Sequence, residues 1–131
     1  MKKTGILNSQ LSGMIAALGH KDLVMIGDAG MPIPKGVPTV DLAVTKGVPT
    51  FAQVFEAVME EMCAEHYFVA EETQGANPAI WSLLQNTLSG LSYDTMPHEE
   101  LKAMSQNVKF AIRTGEFSSF ANVILRAGVV F

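Results

Sequence analysis

Residues 18–34 read LGHKDLVMIGDAGMPIP, and the fold turns on the middle of that stretch. Positions 22–28, DLVMIGD, form a continuous apolar run of strand length. Strict alternation would mark a strand with one wet face, whereas an unbroken run marks a strand covered on both. Such a strand needs helices on either side of its sheet. The run is bracketed by ionisable residues, His20 just before it and Asp28 at its end, and it empties into AGMPIPKGVPT. Pro32, Pro34 and Pro38 keep that segment out of a helix interior, so it reads as an ordered or extended loop.

The flanking sequence repeats the alternation. On its N-terminal side, ILNSQLSGMIAALGH reads as a helix capped by Asn8 or Ser9, with Leu11, Ile15 and Leu18 on one face and Gly19 as its stop. On the other side VDLAVT (40–45) reads as a strand. A helix over about 50–64 follows, with Phe51, Val54, Phe55, Val58, Met59 and Met62 at helical spacing. HYFVAEE (66–72) is a strand, and NPAIWSLLQNTLSG (77–90) a helix with Asn77 as cap and Pro78 at its first position. LSYDTMP (91–97) is a short edge strand, HEELKAMSQNV a helix, KFAIRTG (109–115) a strand and ANVILRAGVVF (121–131) a closing strand. The pattern predicts an α/β fold: a single domain spanning 1–131, with a mostly parallel sheet and helices on both faces.

Composition narrows the function classes. Of the 131 residues 48% are hydrophobic and only 17% charged, more apolar surface than a domain this small should hide alone, which points to an oligomer. The net charge of −4, with no cluster of Lys or Arg, argues against nucleic acid or an anionic membrane as partner. No apolar run approaches the roughly 20 residues that span a bilayer, and MKKTGILNSQ lacks the core of a signal peptide, so a cytoplasmic protein is expected. Cys63 is the only cysteine; within EEMCAEH it reads as a buried small hydrophobe. The apolar end AGVVF is expected to pack against something.

In sheets of this class ligands sit outside the carboxyl ends of the strands. That rule selects Asp28, the Glu71–Glu72 pair, Met96 to His98, and Arg113–Thr114, with Asn122 opening the last strand. Asp28 is either an Asx-turn carboxylate or an anchor for sugar hydroxyls. His20 is either a helix-end histidine favoured by the macrodipole or a general acid–base whose ordinary pKa suits neutral pH. The two stand at opposite ends of one strand, some 20 Å apart at about 3.3 Å per residue. They can share a site only if His20 comes from a neighbouring subunit or the turn folds back. His98, after Pro97 and before two glutamates, reads alone as a solvated helix start, and His66 as structural. The three histidines lack metal-ligand spacing, GDAGMP lacks the glycine pattern of a nucleotide loop, and no G-x-S-x-G is present. The loop Glu116–Ser119 leads to Asn122, whose amide both donates and accepts, while Phe117 and Phe120 read as ordinary core.

KKTGILNSQL, LGHKDLVMIGDAGMPIP, VDLAVTKGVPTF and RTGEFSSFANVILRAGVVF, in this order, resemble the D-ribose pyranase family, which belongs with the fucose mutarotases. The resemblance covers nearly the whole chain. It implies an α/β fold, a cytosolic ring-shaped decamer of identical subunits, and cofactor-free interconversion of ribose between pyranose and furanose forms. It also implies an active site at a subunit interface, with the histidine reaching into the neighbour's pocket. By position His20 matches the catalytic histidine and Asp28 a sugar-binding aspartate. His98 matches a further sugar-binding position, with Lys102 one turn later, and Phe120, Ala121 and Asn122 match a C-terminal sugar-binding segment. Relatives usually carry Pro-Tyr-Ala-Asn where this chain has Ser119-Phe120-Ala121-Asn122, so a phenolic hydroxyl is missing here. If that hydroxyl assists proton transfer, exchange is slower here or proceeds through a water. The competing readings are a mutarotase for fucose or another aldose, and a sugar-binding module without turnover.

Overall fold

The computed structural model describes residues 1–131. One six-stranded sheet carries the chain: β1 (Leu23–Gly27), β2 (Thr39–Asp41), β3 (Ala64–Ala70), β4 (Ser92–Met96), β5 (Phe110–Arg113) and β6 (Val123–Ala127). Their order across the sheet is β2-β5-β1-β6-β3-β4. β1 pairs in parallel with β5, β5 with β2, and β3 with β4, whereas β6 runs antiparallel to both β1 and β3. The sheet is therefore two parallel blocks joined by one reversed strand. That reversal sets the amino end of β6 beside the carboxyl ends of the other five.

β1 is covered on both faces, as its unbroken apolar run requires. Val24 and Ile26 point into a core of 22 buried residues shared with α1 (Ser9–Ala16), α2 (Phe51–Glu61) and α4 (Pro78–Thr87). Met25 points the other way, into a cluster of only 7 that includes Leu101 of α5 (His98–Met104), with Ile33 and Val37 of the proline loop packed against it. Phe110, Ile112, Val123 and Leu125 continue the first face, and Ala111 and Ile124 the second.

Helix starts follow local chemistry. The Asn8 side chain accepts from Leu11 N–H at 2.9 Å. Thr50 and Gln53 form a reciprocal capping box at 3.1 and 3.0 Å. Asn77 accepts from Ile80 N–H at 3.4 Å, with Pro78 at the first position of α4. Differences from expectation are local. Strand β2 stops at Asp41 because the Asp41 carboxylate accepts Ala43 N–H at 3.0 Å and turns the chain out. Strand β3 stops at Ala70, and a short helix, α3 (Glu72–Ala76), fills the approach to α4. The closing strand covers only Val123–Ala127; past it Gly128 N–H bonds to Cys63 and both neighbouring strands have run out.

Two burial expectations are corrected. Cys63 is exposed, because it sits where β3 has not yet joined the sheet. Phe117 is 64% exposed, with the Lys46 ammonium 5.5 Å from its ring centre, because its loop leaves the sheet edge. Val130 and Phe131 are 89% and 101% exposed, so the chain end packs against nothing in its own subunit.

Candidate active site

A cleft of about 510 Å³ opens at the carboxyl edge of the sheet. Asp28, Ala29 and Gly30 line it from the end of β1, Arg113 from the end of β5 and residues 116–120 from beyond it, and His98 from the start of α5. Several residues from the candidate list thus meet although they are far apart in sequence.

Asp28 is the best fixed of them. Its Oδ1 accepts Gly30 N–H at 2.9 Å, which is the Asx turn, and its Oδ2 accepts the Asn122 side-chain amide at 2.9 Å. Asp28 N–H in turn donates to Asn122 Oδ1 at 2.9 Å. The local reading and the functional one therefore coexist. Each carboxylate oxygen has taken one donor and keeps a second acceptor site, so the pair can receive two hydroxyls from one side. Asn122 is fully buried and its amide is committed to Asp28 on both ends. Gly27 makes the pairing possible: a Cβ there would stand 3.0 Å from Asn122 Oδ1 and 3.0 Å from Met31 Cβ.

Phe120 faces His98 edge-on, ring centres 5.1 Å apart. Its backbone lies in the left-handed region, φ 57°, which an aromatic side chain adopts only when its surroundings enforce it. The enforcement comes from α3 and the cap of α4. Buried Thr73 donates its hydroxyl to Phe120 C=O at 3.1 Å, and buried Asn77 donates to Ser119 C=O at 2.8 Å and Ser118 Oγ at 2.9 Å. His98 is held through its backbone, whose N–H meets both Glu72 carboxylate oxygens at 3.1 and 3.0 Å. Its Nδ1 is buried without a partner.

Glu116 organises the loop. Burial alone would raise its carboxyl pKa, but donors from Phe51 N–H, Ser118 N–H and hydroxyl, and Phe117 N–H outweigh this and hold it below the usual range. The bond to Phe51 N–H, 3.0 Å, also places a carboxylate at the start of α2. Arg113 donates Nε to Ala29 C=O at 3.1 Å and Nη1 to Asp41 at 3.1 Å, which braces the Asp28 loop from behind.

Other candidates lie elsewhere. Ala121 is fully buried in the main core, so only its backbone is available to a ligand. Lys102 pairs with Glu99 at 2.9 Å and does not line the cleft. His20 stands at the opposite, amino edge of the sheet, where its Nε2 meets Glu65 of β3 at 3.0 Å. Within one subunit it does not reach Asp28. Sequence reasoning flagged Arg113 by the strand-end rule but did not single out Glu116, Thr73 or Asn77 for the site. Asn77 was legible as a cap; its second bond spans 42 positions and leaves no local trace.

The fold and the cleft together define an α/β domain with a small polar pocket, rich in hydroxyl-binding groups, at the carboxyl edge of a six-stranded sheet. The chain belongs to the RbsD / FucU transport protein family, whose model matches residues 1–130. It is 48% identical to a D-ribose pyranase of Symbiobacterium thermophilum over 131 residues, covering 100% of both chains. Among solved structures it superposes on Bacillus subtilis RbsD complexed with D-ribose with a TM-score of 0.96, at 43% identity and 100% coverage of both. A fucose mutarotase of Streptococcus pneumoniae, solved with L-fucose, shares the fold at a TM-score of 0.81, 19% identity and 95% coverage of both.

Proposed function

We propose that this protein is a D-ribose pyranase. The observation that carries the reading is the full-length match, at TM-score 0.96 and 43% identity, to a relative solved with D-ribose, in a chain whose own cleft presents a fixed carboxylate beside a histidine and an aromatic ring. The substrate is D-ribose, and the reaction needs no cofactor.

Ribopyranose is a cyclic hemiacetal. Opening takes a proton from the anomeric hydroxyl and delivers one to the ring oxygen as the C1–O5 bond breaks, leaving an aldehyde. Closing to the furanose reverses this with the C4 hydroxyl as nucleophile: it gives up its proton, and the carbonyl oxygen gains one. A single group that both accepts and donates near neutral pH serves each step, and such help is typically worth about 10²–10⁴-fold. In this reading His20 is that group, reaching from a neighbouring subunit of a cytoplasmic, ring-shaped decamer into the cleft. Asp28, oriented by Asn122, grips two hydroxyls. His98 and Phe120 flank the sugar, the backbone at Ala121 contributes a polar contact, and Lys102 reaches the cleft mouth once released from Glu99. Supporting the subunit-sharing element are the separation of His20 from Asp28 within one chain and the exposed apolar surface of Val130 and Phe131.

The test is proton NMR saturation transfer on equilibrated D-ribose. Exchange between pyranose and furanose signals should rise well above the buffer rate and fall by at least about 100-fold in His20→Ala. Near-parental exchange in that variant removes His20 from the mechanism. Ribose binding without any acceleration would leave a sugar-binding module.

A further inference from the structure

Away from the cleft, the amino edge of the sheet holds one cluster of charged side chains built around a single carboxylate. Glu65, on β3, divides its two oxygens: Oε2 meets His20 Nε2 at 3.0 Å and Oε1 accepts Arg126 Nε at 2.8 Å. Arg126 lies on β6, directly between β1 and β3, and pairs in register with Leu23 on one side and His66 on the other. The arginine therefore holds Glu65 from the centre of the sheet while the carboxylate holds the imidazole at its rim. The backbone is set for this too. Lys21, directly after His20, is left-handed at φ 70°, with its N–H on Ala127 C=O at 2.8 Å. That strained turn projects His20 outward.

The consequence for the imidazole is specific. A carboxylate can only accept, so the neutral ring facing Glu65 must carry its proton on Nε2. Nδ1, which has no partner in the chain, is then the unprotonated nitrogen. The His20 side chain is 48% exposed, so that nitrogen is open to an incoming group. A ring gripped at one nitrogen and free at the other is the arrangement by which a carboxylate sets the tautomer of a catalytic histidine and steadies its imidazolium. The hydrogen bond from His20, together with the charges of His20 and Arg126, also keeps the Glu65 carboxyl below its usual range, so it stays ionised as the histidine cycles.

We infer that Glu65 is the positioning residue of the reaction, fixing His20 as the Nε2–H tautomer so that Nδ1 exchanges protons with the sugar, and that Arg126 locks Glu65 in place. This rests on the proposed role of His20 and assigns the atom through which it works.

The test pairs ribose exchange kinetics with nitrogen-15 spectra of the histidine rings in the full-length protein. In the parent, neutral His20 should show a protonated Nε2 and an unprotonated Nδ1. Glu65→Ala should give a mixture of tautomers and lower kcat by about 10- to 100-fold with KM little changed, less than the loss on removing His20 itself. Glu65→Gln, which keeps an acceptor and guards against a folding failure of the alanine variant, should retain the Nε2–H form yet lower kcat, since a neutral amide does not steady an imidazolium. Parental kcat in both Glu65 variants, with His20→Ala inactive, overturns the assignment and leaves the pyranase reading standing. An Nδ1–H tautomer in the parent overturns it as well. Near-normal exchange in His20→Ala removes His20 from the reaction and this assignment with it, while the pyranase activity stands.

Discussion

Only two non-glycine residues have left-handed backbone, and they sit at opposite edges of the sheet: Lys21 beside His20, and Phe120 in the cleft. The edges differ in how they hold their chemistry. At the carboxyl edge, groups from α3, the cap of α4 and the start of β6 converge: buried Asn122 holds Asp28, buried Thr73 and Asn77 hold the Phe120 segment, and half-buried Glu72 holds His98. At the amino edge the exposed His20 is held through one carboxylate and one arginine. The first edge is a receptacle complete in itself. The second presents a single side chain outward with nothing in its own subunit to act on. Under the proposed function, the two halves make a site when one subunit's amino edge meets another's carboxyl edge.

The largest effect tests that division. His20→Ala and Asp28→Asn should each lower ribose exchange by about 100-fold or more when pure. Unfolded together and refolded as a mixture, they should regain a measurable fraction of parental exchange, because some interfaces then pair an intact His20 with an intact Asp28. No recovery, with mixed assemblies verified by native mass spectrometry, would mean that both residues must come from one chain.

A smaller effect probes the receptacle alone. Gly27→Ala puts a methyl group against Asn122 Oδ1 and Met31, both at 3.0 Å, inside a packed edge. Overpacking of this kind costs about 1–3 kcal/mol. Asn122 should be driven off Asp28, so ribose affinity by calorimetry should fall along with the melting temperature. The His20 ring spectrum, on the far edge, should not move. Thr73→Val ranks next. It leaves Phe120 C=O without its buried donor, a loss of about 1–3 kcal/mol. It should raise KM more than it lowers kcat, with Thr73→Ser restoring both.

Much of this was legible in the sequence, and the illegible part has a physical cause. An unbroken apolar run needs no partner to be read as a doubly covered strand, and the caps at Asn8 and Asn77 act within three residues of themselves. Strand direction has no such local signature. VILRA would look the same in either sense, yet its reversal in β6 is what brings Asn122 to Asp28 across 94 positions. Exposure of Cys63 and Phe117 was likewise invisible, because apolar residues at the ends of elements face inward or outward according to where neighbouring strands stop. The two-edge separation of His20 and Asp28 was readable from strand length alone, but Glu65 as the holder of His20 required the pairing of β3 beside β6.

The smallest effect is a response to acid, and it should distinguish the edges by pH. Glu116 is partly buried, yet its carboxyl lies below the usual value of 4.5, since donors from Phe51, Ser118 and Phe117 outweigh burial. A folded-state pKa below the unfolded one means that ionised Glu116 stabilises the fold fully above about pH 4.5 and that this contribution disappears as pH falls through the lower folded value. Protonation would release the Phe117–Ser118 turn and the start of α2 together, so ribose affinity and melting temperature should decline in step below about pH 4.5. Glu116→Gln should be less stable than the parent at neutral pH, and the gap should close as the acid range is entered. A gap that stays constant down to about pH 3 would show that Glu116 shapes the cleft by its size and hydrogen bonds rather than by its charge.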